Sequence, residues 1–276
     1  MKCTRPRIVH DSKNHEESEY PCGKCPACRR SRTREWANRI IHELASWKDA
    51  TFITLTYEEN PGTLNRRDLT LFIKRIRKQL EPRKIKYFGC GEYGERFGRP
   101  HYHLILFGVS PSDKIFEKIK NTNKIRNRYS CPQWPYGFID IGSVTYQSAA
   151  YVAGYIQKKL GVTHYQGRVP PFQVQSKGIG LDYVNENKHD LVRELGFTMN
   201  GAQCSLPRYY RKKLDKEIKQ ERLNLLKEEK VEELDQFLSE RGIGDVDERS
   251  KYKVAANRQR EKEIRFKDEK NGRETF

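Results

Sequence analysis

"KIKYFGCGEYGERFGRPHYHLILFG", residues 84–108, holds two apolar runs of strand length separated by a short loop containing Gly98. Loops of this size with a glycine join antiparallel strands, so the stretch predicts a β-hairpin. In the second run His101 and His103 stand one residue apart, where Val or Ile would suit a pleated surface better. Side chains alternate along a strand, so both imidazoles project from one face. A turn centred near Phe97 and Gly98 sets Glu92 roughly opposite His103, within cross-strand reach. Two imidazoles and a carboxylate then converge. This donor set suits a divalent ion such as Mg2+ or Mn2+, with positions open to water or a phosphate oxygen. Glu95 is the reserve ligand. Taken alone, a His-x-His pair more often marks hydrogen-bonded strand residues, so the rest of the chain must decide.

Upstream, "TFITLTY" (51–57) alternates and is rich in β-branched residues, which predicts a strand. From Ser31, residues Trp36, Ile40, Ile41, Leu44 and Trp47 recur at helical spacing. Leu69, Phe72, Ile73, Ile76 and Leu80 mark a second amphipathic helix. Downstream come a weaker helix near 112–120, a loop with Cys131 and Trp134, a strand in "GFIDIGSV", and a helix in "TYQSAAYVAGYIQKKL" (145–160). Such an order predicts an α+β fold in which an antiparallel sheet carries helices. The stretch 162–208 is punctuated by Gly and Pro and reads as loops over the core. Beyond Arg211 the chain is dominated by charged residues, with Leu214, Ile218, Leu225, Leu226, Leu234 and Leu238 as a possible helical stripe and a frayed end. The expected organisation is a Cys-rich element (1–30), a core (31–165), a loop-rich extension (166–210) and a charged helical tail (211–276).

The 276 residues carry a formal net charge of +17, spread through the chain, with 15 Tyr and 12 Phe. Basic surface with stacking rings points to nucleic acid as the partner. No apolar run is long enough to span a membrane and the N-terminus lacks a signal-peptide core, which predicts a cytosolic protein. In that setting the seven cysteines favour metal or free thiols over disulfides. Cys22, Cys25 and Cys28 form C-x2-C-x2-C, and Cys3 offers a fourth sulfur. This spacing suits a structural Zn2+, with an iron–sulfur cluster as the less favoured alternative and His10 or His15 able to replace Cys3.

In "YVAGYIQKKL" the phenols of Tyr151 and Tyr155 lie one turn apart, and Lys158 and Lys159 continue their face. The pattern fits a pair of nucleophiles beside cations, and it equally fits an aromatic pair packed on the core.

Together, "FITLTY", "PHYHLIL" and "YVAGYIQKK" resemble the first motif, the metal motif and the two-tyrosine motif of the HUH endonuclease superfamily over about residues 50–160. "PCGKCPACRRSRTREWANRI", "CGEYGERFGRPHYHLILFG", "SKGIGLDYV" and "LPRYYRKKL" look more specifically like the rolling-circle initiators of gokushovirus-type microviruses. The resemblance implies a HUH, ferredoxin or RRM-like fold and a metal at His101, His103 and Glu92. It implies attack on DNA by Tyr151 or Tyr155, with Lys158 and Lys159 as phosphate partners. It further implies an origin nickase and strand-transferase that leaves a 5′-phosphotyrosine and a free 3′-OH in the host bacterial cytoplasm. Its partners would be single-stranded and replicative-form phage DNA, with host replication proteins a candidate for the tail. Phosphodiester exchange is nearly isoenergetic and needs no ATP, in keeping with a sequence that has no Walker-type GxxxxGK[ST]. The competing expectations are a non-enzymatic, zinc-containing DNA-binding regulator and a plasmid or transposon enzyme of the same superfamily.

Overall fold

The computed structural model describes residues 3–10, 17–119, 128–159, 165, 167–199 and 201–222, with 224, 225, 232 and 236. At 10, 17, 18 and 156–159 it describes the backbone alone. The chain divides into two compact units, residues 1–186 and 187–276.

In the first unit a two-stranded ribbon, β1 (Arg7–His10) and β2 (Glu17–Tyr20), precedes helix α1 (Pro26–Leu44). Then follow β3 (Ala50–Tyr57), α2 (Arg66–Leu80), β4 (Lys86–Tyr93), β5 (Pro100–Phe107), β6 (Glu117–Lys118), β7 (Arg128–Ser130), β8 (Gly137–Gly142), α3 (Tyr146–Lys159), β9 (Phe172–Gln175) and α4 (Leu181–Glu186). Seven of these strands form one antiparallel sheet in the order β6-β7-β8-β3-β5-β4-β9. The α+β expectation of an antiparallel sheet carrying helices holds.

Strand alternation sorts the core into two layers. Ile53, Leu55 and Tyr57 of β3 and Tyr102, Leu104 and Leu106 of β5 are buried with Leu69, Phe72, Ile73 and Ile76 of α2. Phe88, Cys90, Ile105 and Phe107 face the other way and meet Ala37 and Ile40 of α1 and Ala149, Val152 and Ala153 of α3. Burial on both faces is why β5 reads as a continuous apolar run. His101 and His103 lie on the α1/α3 face of that strand, by the same alternation.

The hairpin register differs from the expectation. Glu92 pairs with His101, and Cys90 with His103. Gly98, at φ 61°, is the last loop residue rather than the centre of the turn. Its N–H donates to the Gly94 carbonyl at 2.9 Å, and the Gly94 N–H donates to the Arg99 carbonyl at 2.9 Å. A left-handed φ is easiest for glycine, and this loop needs it at its end. The correction moves the register by two residues, which preserves the face, so Glu92 still meets both histidines.

Other elements also depart from the expectation. Helix α1 begins at Pro26, not Ser31, because Cys25 caps it by accepting from the Cys28 N–H and proline suits the first turn. Trp47 lies past its end. In place of a helix near 112–120 there are turns and β6. The stretch expected to be loops supplies β9, an edge strand that pairs with β4 directly after Pro170 and Pro171.

The second unit holds α5 (Lys188–Glu194), the hairpin of β10 (Gly196–Met199) and β11 (Ala202–Ser205), and α6 (Arg208–Lys213). Of the expected leucine stripe, Leu214 is buried and Leu225 is exposed, while Leu226, Leu234 and Leu238 lie outside the described residues.

A buried carboxylate ties the α1 layer to the sheet. Glu43 is fully buried; its Oε1 accepts from Trp47 Nε1 at 2.7 Å and lies 2.7 Å from Lys86 Nζ, and its Oε2 accepts from the Gly180 N–H at 2.6 Å. Removing one member of such a set strands the others. Glu43→Ala is therefore expected to lower unfolding free energy by about 3–5 kcal/mol in urea denaturation. Glu43→Gln, which keeps an acceptor, is expected to cost less. Equal losses for the two variants would contradict the assignment.

Candidate active site

Three donors from the β4–β5 hairpin meet on the α1/α3 face. Glu92 Oε1 lies 2.8 Å from His101 Nε2 and 2.9 Å from His103 Nε2. The ligand atoms of the three residues all lie within 4.8 Å of one another. Each imidazole is oriented through its other nitrogen: His101 Nδ1 lies 3.1 Å from the Arg99 carbonyl, and His103 Nδ1 lies 2.9 Å from Thr54 Oγ1. A carbonyl only accepts, so neutral His101 carries its proton on Nδ1 and turns the Nε2 lone pair toward the Glu92 carboxylate. Two lone pairs 2.8 Å apart repel unless a cation lies between them. His103 Nε2, although near Glu92, forms no aligned hydrogen bond, and Glu92 Oε2 is buried without a partner in a residue 1 % exposed. Buried polar atoms are normally paired, so these orphans, with oriented imidazoles behind them, fit a bound divalent ion. Glu95 is exposed in the hairpin loop and is not part of the cluster.

Helix α3 brings the two tyrosines to the same place. Ala149, Val152 and Ala153 seat the helix on the sheet with no exposed surface, which aims the adjoining stripe at the histidines. The His103 ring centroid lies 5.2 Å from that of Tyr151 and 6.2 Å from that of Tyr155, and the phenol rings are 5.1 Å apart. Tyr151 is 46 % exposed and Tyr155 only 7 %. Burial first, and the Glu92 carboxylate second, raise the proton affinity of both phenols. A cation on Glu92 would cancel the second cause. Ala153 contacts the core, and a Cβ added at Gly154 would meet Thr33 Cγ2 of α1 at 3.5 Å. These small residues thus admit the sheet and α1. Lys158 and Lys159 belong to α3, but their side chains lie outside the described residues.

Sequence reasoning missed Thr54 and Phe52. Thr54 is the cross-strand partner of His103, and Phe52 stacks against its ring at 5.7 Å. Both sit at alternate positions of "FITLTY", so a pairing register for β3 and β5 would have found them. Asp140, paired with Thr54 from β8, keeps one buried oxygen without a partner beside this row.

The cysteines form a second cluster at the start of α1. The sulfurs of Cys3, Cys22, Cys25 and Cys28 all lie within 4.8 Å of one another, and those of Cys3 and Cys25 are 3.7 Å apart. Four sulfurs on a tetrahedral ion with bonds of ~2.3 Å would stand about 3.8 Å apart. Backbone N–H groups of Cys22, Cys25 and Cys28 donate to Cys3, Cys22 and Cys25 sulfurs at 3.3 Å, 3.3 Å and 3.5 Å. The Cys25 thiol is held down to about 5, first by the Thr4 hydroxyl and then by the Cys28 N–H, whereas burial pushes Cys28 up to about 12. Four sulfurs could therefore hold a metal ion, with Cys3 as the fourth donor. His15 and the His10 side chain lie outside the described residues.

Among the described residues no helix is long and apolar enough to cross a membrane. No solved structure matches the chain significantly. Residues 50–160, which span β3 to the end of α3, match the family model of the Replication-associated protein ORF2 type. The chain is similar to Replication-associated protein ORF2 of Spiroplasma virus 4, 32 % identical over 88 % of this chain and 90 % of that protein. It is also similar to Replication-associated protein VP4 of Bdellovibrio phage phiMH2K, 34 % identical over 76 % of each chain. Replication-associated protein ORF4 of Chlamydia phage 1 is 28 % identical over 73 % of this chain and 55 % of its own length. Likeness above 30 % across most of two such proteins, with the family match lying over the strands and helix that bear the cluster and the phenols, places this chain in the ORF2-type family of phage replication-associated proteins.

Proposed function

We propose that the protein initiates rolling-circle replication by nicking single-stranded DNA at a phage origin through a tyrosine nucleophile. The observation that carries this reading is the contact of His103, a member of the Glu92/His101/His103 cluster, with the rings of Tyr151 and Tyr155. In the reaction the phenol oxygen forms a bond to the scissile phosphorus and the bond to the 3′ oxygen breaks. The phenol loses its proton and the leaving oxygen gains one, giving a 5′-phosphotyrosine and a 3′-OH. Glu92, His101 and His103 would hold Mg2+ or Mn2+, which supplies Lewis-acid polarisation of the phosphate. Lys158 and Lys159 are assigned to the charge that develops on the phosphate. Once one phenol is esterified, its neighbour one turn away can cleave the regenerated origin. The freed 3′-OH then attacks the first linkage and closes the displaced strand into a circle. Origin DNA in single-stranded and replicative form is the substrate, host replication proteins are candidate partners for the tail, and the host bacterial cytoplasm is the setting.

The test is to incubate the protein with single strands from a related phage genome and Mn2+, then look for a denaturation-resistant protein–DNA adduct. An adduct at one sequence, lost in EDTA, is the expected result. Binding with no adduct on any fragment would leave a DNA-binding regulator instead.

At the N-terminus the all-sulfur donor set is assigned to Zn2+ held by Cys3, Cys22, Cys25 and Cys28. Cys25→Ser is a clean probe, because serine still caps α1 while removing one thiolate. Zinc measured by elemental analysis is expected to fall well below the wild-type content with the helix retained by circular dichroism. Unchanged zinc would refute the site.

A further inference from the structure

A groove of about 500 Å3 lies between α1 and α3, separate from the histidine cluster. Its α3 wall is the stripe containing Ala150 and Gly154, which immediately neighbours the Tyr151 and Tyr155 stripe on the helix. Pro26, Arg29, Thr33 and Arg34 of α1 form the opposite wall, directly after the Cys25 cap. The floor is apolar while the α1 wall is cationic. Arg29 is half-buried, and its Nε is buried without a hydrogen-bond partner. A guanidinium kept beside apolar surface with an unused donor is costly in the absence of an anion, and it suits planar oxygen acceptors such as phosphate.

The occupant must combine an anionic backbone with flat apolar bodies of small width. Single-stranded DNA has that chemistry. A duplex hides its base faces in its own stack, whereas an unpaired strand can lay a base on Ala150 and Gly154 and its phosphates on the arginines. The geometry points to this groove as a binding track for single-stranded DNA, with Arg29 and Arg34 as phosphate contacts and Ala150 and Gly154 as a base seat. The inference rests on the DNA-processing reading above and names where the strand runs after it leaves the phenols. A strand held one helical stripe away approaches Tyr151 along the helix, which restricts the phosphate it presents.

The experiment measures anisotropy of a fluorescein-labelled single strand of mixed sequence, titrated with full-length protein in EDTA at several salt concentrations. Arg29→Ala with Arg34→Ala is expected to weaken binding tenfold or more and to flatten the slope of log K against log salt by about 1.4, at about 0.7 per phosphate. Arg29→Lys with Arg34→Lys is expected to keep the slope. Ala150→Leu, which fills the seat without changing charge, is expected to weaken binding severalfold with an unchanged slope. Wild-type affinity and slope in the double alanine variant would overturn the proposal, a result that does not depend on whether Ala150→Leu folds. An equal loss toward a duplex of the same length would also overturn it, in favour of non-selective phosphate binding. Adduct assays on the same proteins separate the two readings. Unchanged binding with normal adduct removes the track and keeps the nickase; weakened variants beside a wild type that forms no adduct do the reverse.

Discussion

Covalent attachment to DNA is expected to fall to background in the Tyr151→Phe, Tyr155→Phe double variant, while each single substitution leaves part of it. Phenylalanine keeps the ring contacts with His103 and removes only the nucleophilic oxygen, so the loss reports chemistry rather than packing. The two singles are not equivalent. Burial raises the proton affinity of both phenols, but the hydrogen bond between them lowers that of Tyr151 and raises that of Tyr155. Tyr155 thus acts as donor to Tyr151, whose oxygen is the easier to deprotonate and, with Tyr151 at 46 % exposure, the easier for an incoming phosphate to reach. Tyr151→Phe is therefore expected to reduce first-strand cleavage more than Tyr155→Phe. Thermal melting checks that the three variants remain folded. Adduct in the double variant would remove both tyrosines from the reaction.

The placement of these groups was legible in the sequence to the extent that it depends on periodicity. A period of two puts His101 and His103 on one face whatever the register, and a two-residue error in pairing left Glu92 on that face. The i and i+4 spacing likewise put both phenols on one stripe of α3. What the sequence hid depends on longer-range information. The hairpin register turns on which loop residue adopts the left-handed conformation, and glycine is permissive at several positions. The start of α1 was masked because Cys25 and Cys28 read as metal ligands, although Cys25 is at once the helix cap and a cluster donor. "FQVQ" is too short to announce a strand and becomes one only through pairing with β4. Thr54 has no motif of its own, and its contact with His103 exists only because β3 lies beside β5.

Glu92→Gln is expected to separate metal binding from folding. Glu92 sits 1 % exposed with one oxygen orphaned and the other facing two imidazole nitrogens. Such a group is unfavourable to the metal-free protein, since a buried carboxylate lacking full compensation lowers stability. An amide of the same shape removes the charge and can donate to a histidine lone pair, so in EDTA the variant is expected to melt at or above the wild-type temperature. Adding Mn2+ reverses the order: a ligand at about 100 times its dissociation constant stabilises the folded state by roughly 2.7 kcal/mol, and only the wild type has the anionic donor to gain it. Manganese affinity by calorimetry is expected to drop by about 100-fold or more, comparable with or beyond what loss of an outer-shell partner causes. Adduct formation should fall with it. A variant that is less stable than wild type in EDTA, yet gains the same Mn2+ stabilisation, would show Glu92 to be a structural acid that merely orders the two rings. The site demands the opposite, a carboxylate retained despite its cost to the fold because a cation sits there when the protein works.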